Sequence, residues 1–382
     1  MATITSSTAR SDSQGESYRG IEDVVIQVEG LYKHYGKLVA VKGIDFAVKR
    51  GEIFGLIGPD GAGKTTTFHI LGGVMEATAG TIQVLGKPPR DARLSIGYLT
   101  QQFSLYLDLS IDENIRYSAG LRQVPEKQLQ ERRTKYLQLM NLEQFSDRLA
   151  GRLSGGMKQK LALCCALISQ PEILLLDEPT TGVDPVSRRE FWDVLAAVAS
   201  EGVTIVVATP YLDEAERCHR IALMYEGQIH QIGTLFELRD NLGWQRLEVR
   251  TRQIEVAESV LISQLSSIEG QQHSSTNNQQ PTTNNQQPTS IADVQTFGDR
   301  LDVLVKDAKA GEAEVRGLLS QHQVELNDIQ TGAPTLENVF VSRLRASGND
   351  PEFIPFPRAK PENPHRNIDV AIGARHLKKV FG

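Results

Sequence analysis

Five apolar positions, Ile53-Phe54-Gly55-Leu56-Ile57, run without a polar break into Gly58-Pro59-Asp60-Gly61-Ala62-Gly63-Lys64-Thr65, and from Lys64 to Leu71 the spacing turns helical. A strand apolar on both faces belongs inside a parallel sheet covered by helices. A glycine-rich turn that joins such a strand to a helix commits the chain to a strand–loop–helix unit. Further apolar runs, Ile173–Leu176 and Thr204–Ala208, alternate with helical patterns, so residues 24–243 read as one α/β unit with a largely parallel sheet. Short strand patterns at Val25–Val28 and Ile44–Val48 open it, and about 103–169 is mostly helical in pattern.

With 382 residues the chain has room for two or three domains. A smaller unit follows over 244–346: strand at Leu247–Val249, helix at Ile254–Leu265, a strand pair at Ala292–Phe297 and Leu301–Val305, helix at Glu312–Leu319, strand at Val324–Ile329, and a closing helix at Leu336–Leu344. The order βαββαβ plus a helix is compatible with a ferredoxin-like α+β sandwich. An Asn/Gln-rich insertion at 271–290 carries Thr276-Asn277-Asn278-Gln279-Gln280-Pro281-Thr282 twice in tandem, to Thr289, and has no apolar groups with which to build a core. Residues 1–23 read as a disordered tail without a secretory signal. The stretch 347–367, with five prolines between Pro351 and Pro364, reads as an extended linker. Beyond it, Ile372–Gly382 aligns without gaps on Ile26–Gly36, with Phe381 on Tyr35, so 368–382 reads as the start of a second copy of the first unit.

A net charge of −6 argues against a nucleic-acid partner, which would call for a basic stripe. Three cysteines, Cys164, Cys165 and Cys218, show no framework spacing and read as small core residues of a reducing compartment. No apolar run reaches bilayer length, so any service to a membrane is rendered from the cytoplasmic side through a partner.

The octet at 58–65 is a phosphate-binding pattern in its proper setting, after a strand and before a helix. Glycines let successive N–H groups curl around an anion, and the helix start adds its positive end. Lys64 is placed to neutralise phosphate oxygens and the Thr65 hydroxyl to reach Mg²⁺. Asp177 and Glu178 close the buried run Ile173–Leu176, a costly place for two acids unless one serves a metal and the other a base. Asp177 suits Mg²⁺; Glu178 suits the activation of an attacking water. Ser154-Gly155-Gly156 opens a helix reaching about Ser169, which makes a second anion site that faces away from the first loop. Taken alone, Ser154 is also what a plain N-cap requires.

Phosphate loop, Ser-Gly-Gly and acid pair, in this order, resemble the ATP-binding cassette ATPases of ABC transporters across nearly all of 24–243. The resemblance implies a P-loop α/β fold with a helical subdomain, ATP and Mg²⁺ as ligands, and ATP trapped between two cassettes. It implies nucleotide contacts from Tyr35, Gly58, Pro59, Asp60, Gly61, Ala62, Gly63, Lys64, Thr65, Thr66 and Gln101, with Thr65, Gln101 and Asp177 near the metal and Glu178 as general base. Tyr35 would stack on adenine, although a strand-end core aromatic reads the same way; Gln102 is the neighbour with which Gln101 is most easily confused. Ser154, Gly155 and Gly156 would read the partner's ATP, and Asp184 would lie in the loop crossing the dimer interface. The closing segment Pro334–Phe340 resembles the tail of exporter-type cassettes that pair with ABC-2 membrane subunits. A tandem of this kind implies an efflux subunit at the cytoplasmic face of the cell membrane, with a second cassette as its other partner.

One position departs from that pattern. In Ala208-Thr209-Pro210-Tyr211-Leu212-Asp213-Glu214-Ala215 the flanks match, but Pro210 stands where the family has a histidine. Proline brings neither a side-chain donor nor an N–H. Pro210 favours a second function over an ATP-hydrolysing exporter subunit, a nucleotide-gated cassette that dimerises with little hydrolysis of its own; a soluble cassette protein is a further alternative. Asp60 also replaces the more usual asparagine, at the mouth of the loop.

Overall fold

The computed structural model describes residues 24–102, 104–272 and 290–346. The tail, the tandem Asn/Gln tract, the proline-rich stretch and the repeat at 368–382 lie outside the described residues. Described residues up to Arg343 gather into one compact unit.

Strands β1 (Val24–Tyr35), β2 (Leu38–Lys49), β3 (Ile53–Ile57), β4 (Ala79–Val84), β5 (Ile96–Leu99), β6 (Ile173–Asp177), β7 (Thr204–Thr209), β8 (Arg220–Tyr225) and β9 (Gln228–Gly233) build two sheets. The larger runs β5-β6-β7-β3-β8-β9, parallel except for the β8–β9 pair. Each residue of β3, β6 and β7 is buried, as strands covered on both faces must be. The other sheet, β2-β1-β4, is antiparallel and was not foreseen as a separate layer. Its strands carry bulges that interrupt the alternating pattern, which is why only fragments of β1 and β2 are legible from sequence.

Helices Ile111–Leu121, Glu126–Leu139 and Gly155–Leu167 form the expected helical region. Burial lifts the thiols of Cys164, Cys165 and Cys218, that of Cys165 to about 11, as inert core residues require.

A third sheet follows from β10 (Gln245–Thr251), β11 (Ile291–Phe297), β12 (Arg300–Val305) and β13 (Leu326–Gly332). Its order, β11-β12-β10-β13, with all pairings antiparallel, is the strand arrangement of the ferredoxin-like unit. The last strand begins two residues later than the pattern suggests, because Gln323 turns the chain at φ 57 and Val324 caps the preceding helix. Helices Ile254–Gln272 and Ala308–Gln321 cover one face, over a core that includes Leu247, Val249, Val303 and Val315. Helix Leu336–Ala346 belongs to the other face, where Asn338 donates to Gln295 at 2.9 Å and to the fully buried Asp302 at 3.1 Å. A common core crosses position 243: Leu304, Leu336 and Val339 belong to the same buried cluster as Leu238 and Leu242, and Phe340 meets Tyr225 edge-to-face at 6.4 Å.

Candidate nucleotide site

The site begins where β3 ends. Gly58 has no room for a side chain: a Cβ there would stand 2.0 Å from the Met224 carbonyl oxygen. Gly63 combines φ 103 with a carbonyl oxygen, that of Ala40, 2.6 Å from any added Cβ. Gly61, at φ 78, faces open space. Close packing at 58 and 63 and a left-handed backbone at 61 and 63 make glycine the residue those three positions require. Asp60 is exposed at its mouth and Thr66 half-buried behind it. Helix Lys64–Leu71 then starts directly at Gly63.

Lys64 lies buried and donates to the carbonyls of Gly58 at 2.8 Å and Pro59 at 3.0 Å. The same ammonium stands 3.5 Å from Glu178 Oε1, itself largely buried. Thr65 Oγ1 donates to Asp177 Oδ1 at 3.2 Å, so the loop and the end of β6 meet through a hydroxyl and a carboxylate. Two hard oxygen donors facing one space suit Mg²⁺, which takes few protein ligands. Burial lifts the Asp177 carboxyl above its ordinary range; the Thr65 hydrogen bond opposes that, and the charge of Glu178 adds to it. A cation here would relieve all of this at once.

Glu178 is held in an uncommon conformation, φ 49, with its N–H on the Ala208 carbonyl at 2.9 Å. A non-glycine residue in this region is characteristic of sites whose surroundings over-determine it. Its Oε2 accepts from Gln101 at 3.1 Å and from Thr181 at 3.3 Å. Gln101 thus reaches the acid pair, whereas the carbonyl of Gln102 accepts the Thr100 hydroxyl at 2.7 Å. Tyr35 ends β1 with 44% of its surface exposed, so it is not a core aromatic. Its hydroxyl donates to Met75 Sδ at 2.9 Å and Lys33 Nζ lies 5.4 Å from the ring centre.

The Ser-Gly-Gly segment is elsewhere. Ser154 caps helix Gly155–Leu167 by accepting from Met157 N at 3.3 Å, and both Ser154 and Gly155 are exposed. That helix packs on β5, three strand spacings from β3, roughly 14 Å across the sheet. Gly156 lets it approach helix Pro185–Ser200, since a Cβ would meet Ser187 at 2.7 Å. Asp184 caps this second helix, accepting from Val186 N at 3.1 Å and Ser187 N at 3.0 Å, and those backbone bonds hold its carboxyl below the usual range. Ser154, Gly155 and Asp184 therefore share one exposed surface, apart from Lys64.

At the end of β7, Thr209 donates to Glu214 at 2.7 Å and Tyr211 lies under the Arg188 guanidinium, 4.6 Å from it. The Thr209 hydroxyl is thereby committed to Glu214, and the Tyr211 N–H donates to Thr209 Oγ1 at 3.1 Å. Glu214, Arg188 and Thr180 escaped the sequence reading, although an acid within a turn after an apolar strand is the same signal that marked Asp177 and Glu178.

The family described as ABC transporter matches residues 41–181. A probable multidrug ABC transporter ATP-binding protein, YbhF of Escherichia coli (strain K12), is 41% identical over 221 residues, 57% of this chain and 38% of that protein. The chain thus spans about two-fifths of that relative's length. The daunorubicin resistance ATP-binding protein DrrA3 of Streptomyces coeruleorubidus is 31% identical over 334 residues, covering 86% of this chain and 97% of its own. Among solved structures, cbiO1 of Clostridium perfringens, part of the transporter complex cbiONQ, superposes with a TM-score of 0.54 at 28% identity, over 66% of this chain and 99% of that one. The cassette MJ0796, a dimer bound to ADP and Pi, gives 0.51 at 26%, over 55% and 98%. Matched by family, by near full-length relatives and by fold, the chain belongs to the ATP-binding cassette proteins of ABC transporters.

Proposed function

We propose that this chain binds Mg²⁺-ATP, closes over it against a second cassette, and hydrolyses it to drive export through separate membrane subunits. The observation that carries this reading is that Lys64 and Gln101 reach Glu178 at 3.5 and 3.1 Å while Thr65 reaches the adjoining Asp177 at 3.2 Å, with Ser154 and Asp184 on a different surface. One cassette holds half of each of two sites, so a second copy of the fold is needed to complete either. The repeat of 26–36 at 372–382 supports a tandem partner. Relatives named for multidrug and daunorubicin resistance support a drug-like cargo. No described helix is long and apolar enough to cross a membrane. Relatives named as ATP-binding proteins of drug transport and resistance support a membrane path supplied by other subunits, at whose cytoplasmic face this one works.

In this reading the loop amides and Lys64 hold the β- and γ-phosphates, and Tyr35 stacks on the base. Thr65 and Asp177 hold Mg²⁺, which supplies charge neutralisation at the phosphates. Glu178 Oε takes the proton of the attacking water as that water's oxygen forms its bond to phosphorus and the β–γ bridge breaks. Lys64 must then exchange its bonds to Gly58 and Pro59 for bonds to phosphate. The test is Glu178→Gln with MgATP, read in single turnover at this chain's own phosphate loop: ATP binding persists, hydrolysis there is lost, and a stable ATP-bound association of cassettes accumulates in light scattering. A variant that still hydrolyses ATP at the parent rate removes Glu178 from the role.

A specific observation favours an asymmetric version. Pro210 offers no donor to the γ-phosphate, and the hydroxyl of Thr209 before it is committed to Glu214. Loss of one transition-state donor costs on the order of 10²–10³ in rate. The site on this chain's own phosphate loop is therefore slow, and its intact Ser154-Gly155-Gly156 completes a faster site on the partner.

A further inference from the structure

Glu214 is 1% exposed, in a short helical turn, Leu212–Ala215, just past Pro210. A buried carboxylate is costly unless its oxygens are partnered. Oε2 accepts the Thr209 hydroxyl at 2.7 Å, Oε1 accepts the hydroxyl of Thr180, and Arg188 Nε stands 3.5 Å from Oε1 as an ion pair. Arg188 is held in turn by Asp213 at 3.5 Å and by the Tyr211 ring.

These partners come from a strand, a helix and the loop between Glu178 and Asp184. Thr180 lies two residues past Glu178. Thr209 closes β7, and its carbonyl accepts from Gly58 N, the first amide of the phosphate loop, at 3.3 Å. Arg188 sits in the first turns of the helix capped by Asp184, next to Ser187, on which Gly156 packs. A single carboxylate thus touches the strand that supports the phosphate loop, the segment that carries Glu178, and the helix that carries the partner-facing surface.

We propose that Glu214 is a positioning residue that couples the two half-sites of this cassette, transmitting displacement of the Asp184 loop through Arg188 and Thr180 to Glu178. The inference rests on the reading above, in which Glu178 is the base and a second cassette presses on Asp184. The movable element is the segment 178–184, pinned at one end by the bond from Glu178 N to Ala208 and at the other by the Asp184 cap. With proline at 210, no side chain at that position links β7 to the γ-phosphate. The brace through Glu214 is then a side-chain connection between the end of β7 and the surface that meets the partner, beside the backbone bond from Glu178 N to Ala208.

The test uses the full chain and compares Glu214→Gln, Glu214→Asp, Arg188→Met and Thr180→Val with the parent, with Glu178→Gln as reference. Single-turnover hydrolysis, equilibrium ATP binding and thermal melting are measured for each. Glu214→Gln is expected to slow hydrolysis about 10- to 100-fold, the loss that a misplacement of about 1 Å produces, with the ATP dissociation constant within about twofold. Glu214→Asp keeps the charge and recovers part of the rate. Arg188→Met adds little on top of Glu214→Gln, since the two act through one link. Should Glu214→Gln fold poorly, Thr180→Val removes the same link at its other end and is expected to slow hydrolysis without loss of ATP affinity. A Glu214→Gln rate within about twofold of the parent overturns the proposal, as does a fall that tracks only the folded fraction or the ATP occupancy. Parent-like hydrolysis by Glu178→Gln would instead remove the base on which both readings stand.

Discussion

β3 and β7 are neighbours, paired in parallel from Ile53↔Ile205 to Ile57↔Thr209, yet their ends solve different problems. The end of β3 is made of backbone: glycines bring amides together, and side chains at Gly58 and Gly63 are excluded by carbonyl oxygens. The end of β7 is made of side chains: Thr209, Glu214, Arg188 and Tyr211 satisfy one another around Pro210. A backbone device tolerates little change in residue type and leaves a fixed spacing in the sequence. A side-chain device leaves residues whose partners are far away in the chain and invisible until folded.

The contrast can be broken most directly at the backbone device. Gly58→Ala is expected to lower ATP affinity more than about 100-fold in equilibrium binding, because its Cβ meets a carbonyl oxygen that cannot retreat without moving β8. Gly61→Ala meets no neighbour and carries only the left-handed penalty, about 1–2 kcal/mol, in thermal unfolding. If both glycines tolerate alanine equally, close approach does not shape the loop. Pro210→His comes next and tests the side-chain device: steady-state hydrolysis is expected to rise on the order of 10²–10³-fold, the range one regained donor supplies. An unchanged rate would mean that Pro210 does not limit the site. The smallest effect belongs to Asp184→Ala, a lost N-cap worth about 1 kcal/mol, read as a modest fall in Tm.

The same contrast explains what was legible in advance. The parallel sheet, the helix at Lys64, the ferredoxin-like order of the second unit and the acid pair follow from local periodicity and motif spacing. The antiparallel sheet β2-β1-β4 was not, because bulges at Val28/Leu31 and Lys33/His34 interrupt its alternation. β8 and β9 escaped for a related reason: their hairpin turns at Glu226-Gly227 and its strands lack a flanking motif to mark them. Gln101 was separable from Gln102 only through its contact with Glu178. Glu214 needed the fold itself, since its partners Thr180 and Arg188 are 34 and 26 positions away in sequence.

The cluster shared by Leu238, Leu242, Leu304, Leu336 and Val339 has a mechanical consequence. Close-packed side chains of this kind resist sliding, which opposes a free swing of the small four-stranded sheet about Gly243. Rotation of the phosphate-bearing body would then carry the sheet and its helices Ile254–Gln272 and Ala308–Gln321 with it. Cutting the chain at that glycine would do more than remove a passenger: it would leave Leu238 and Leu242 wet.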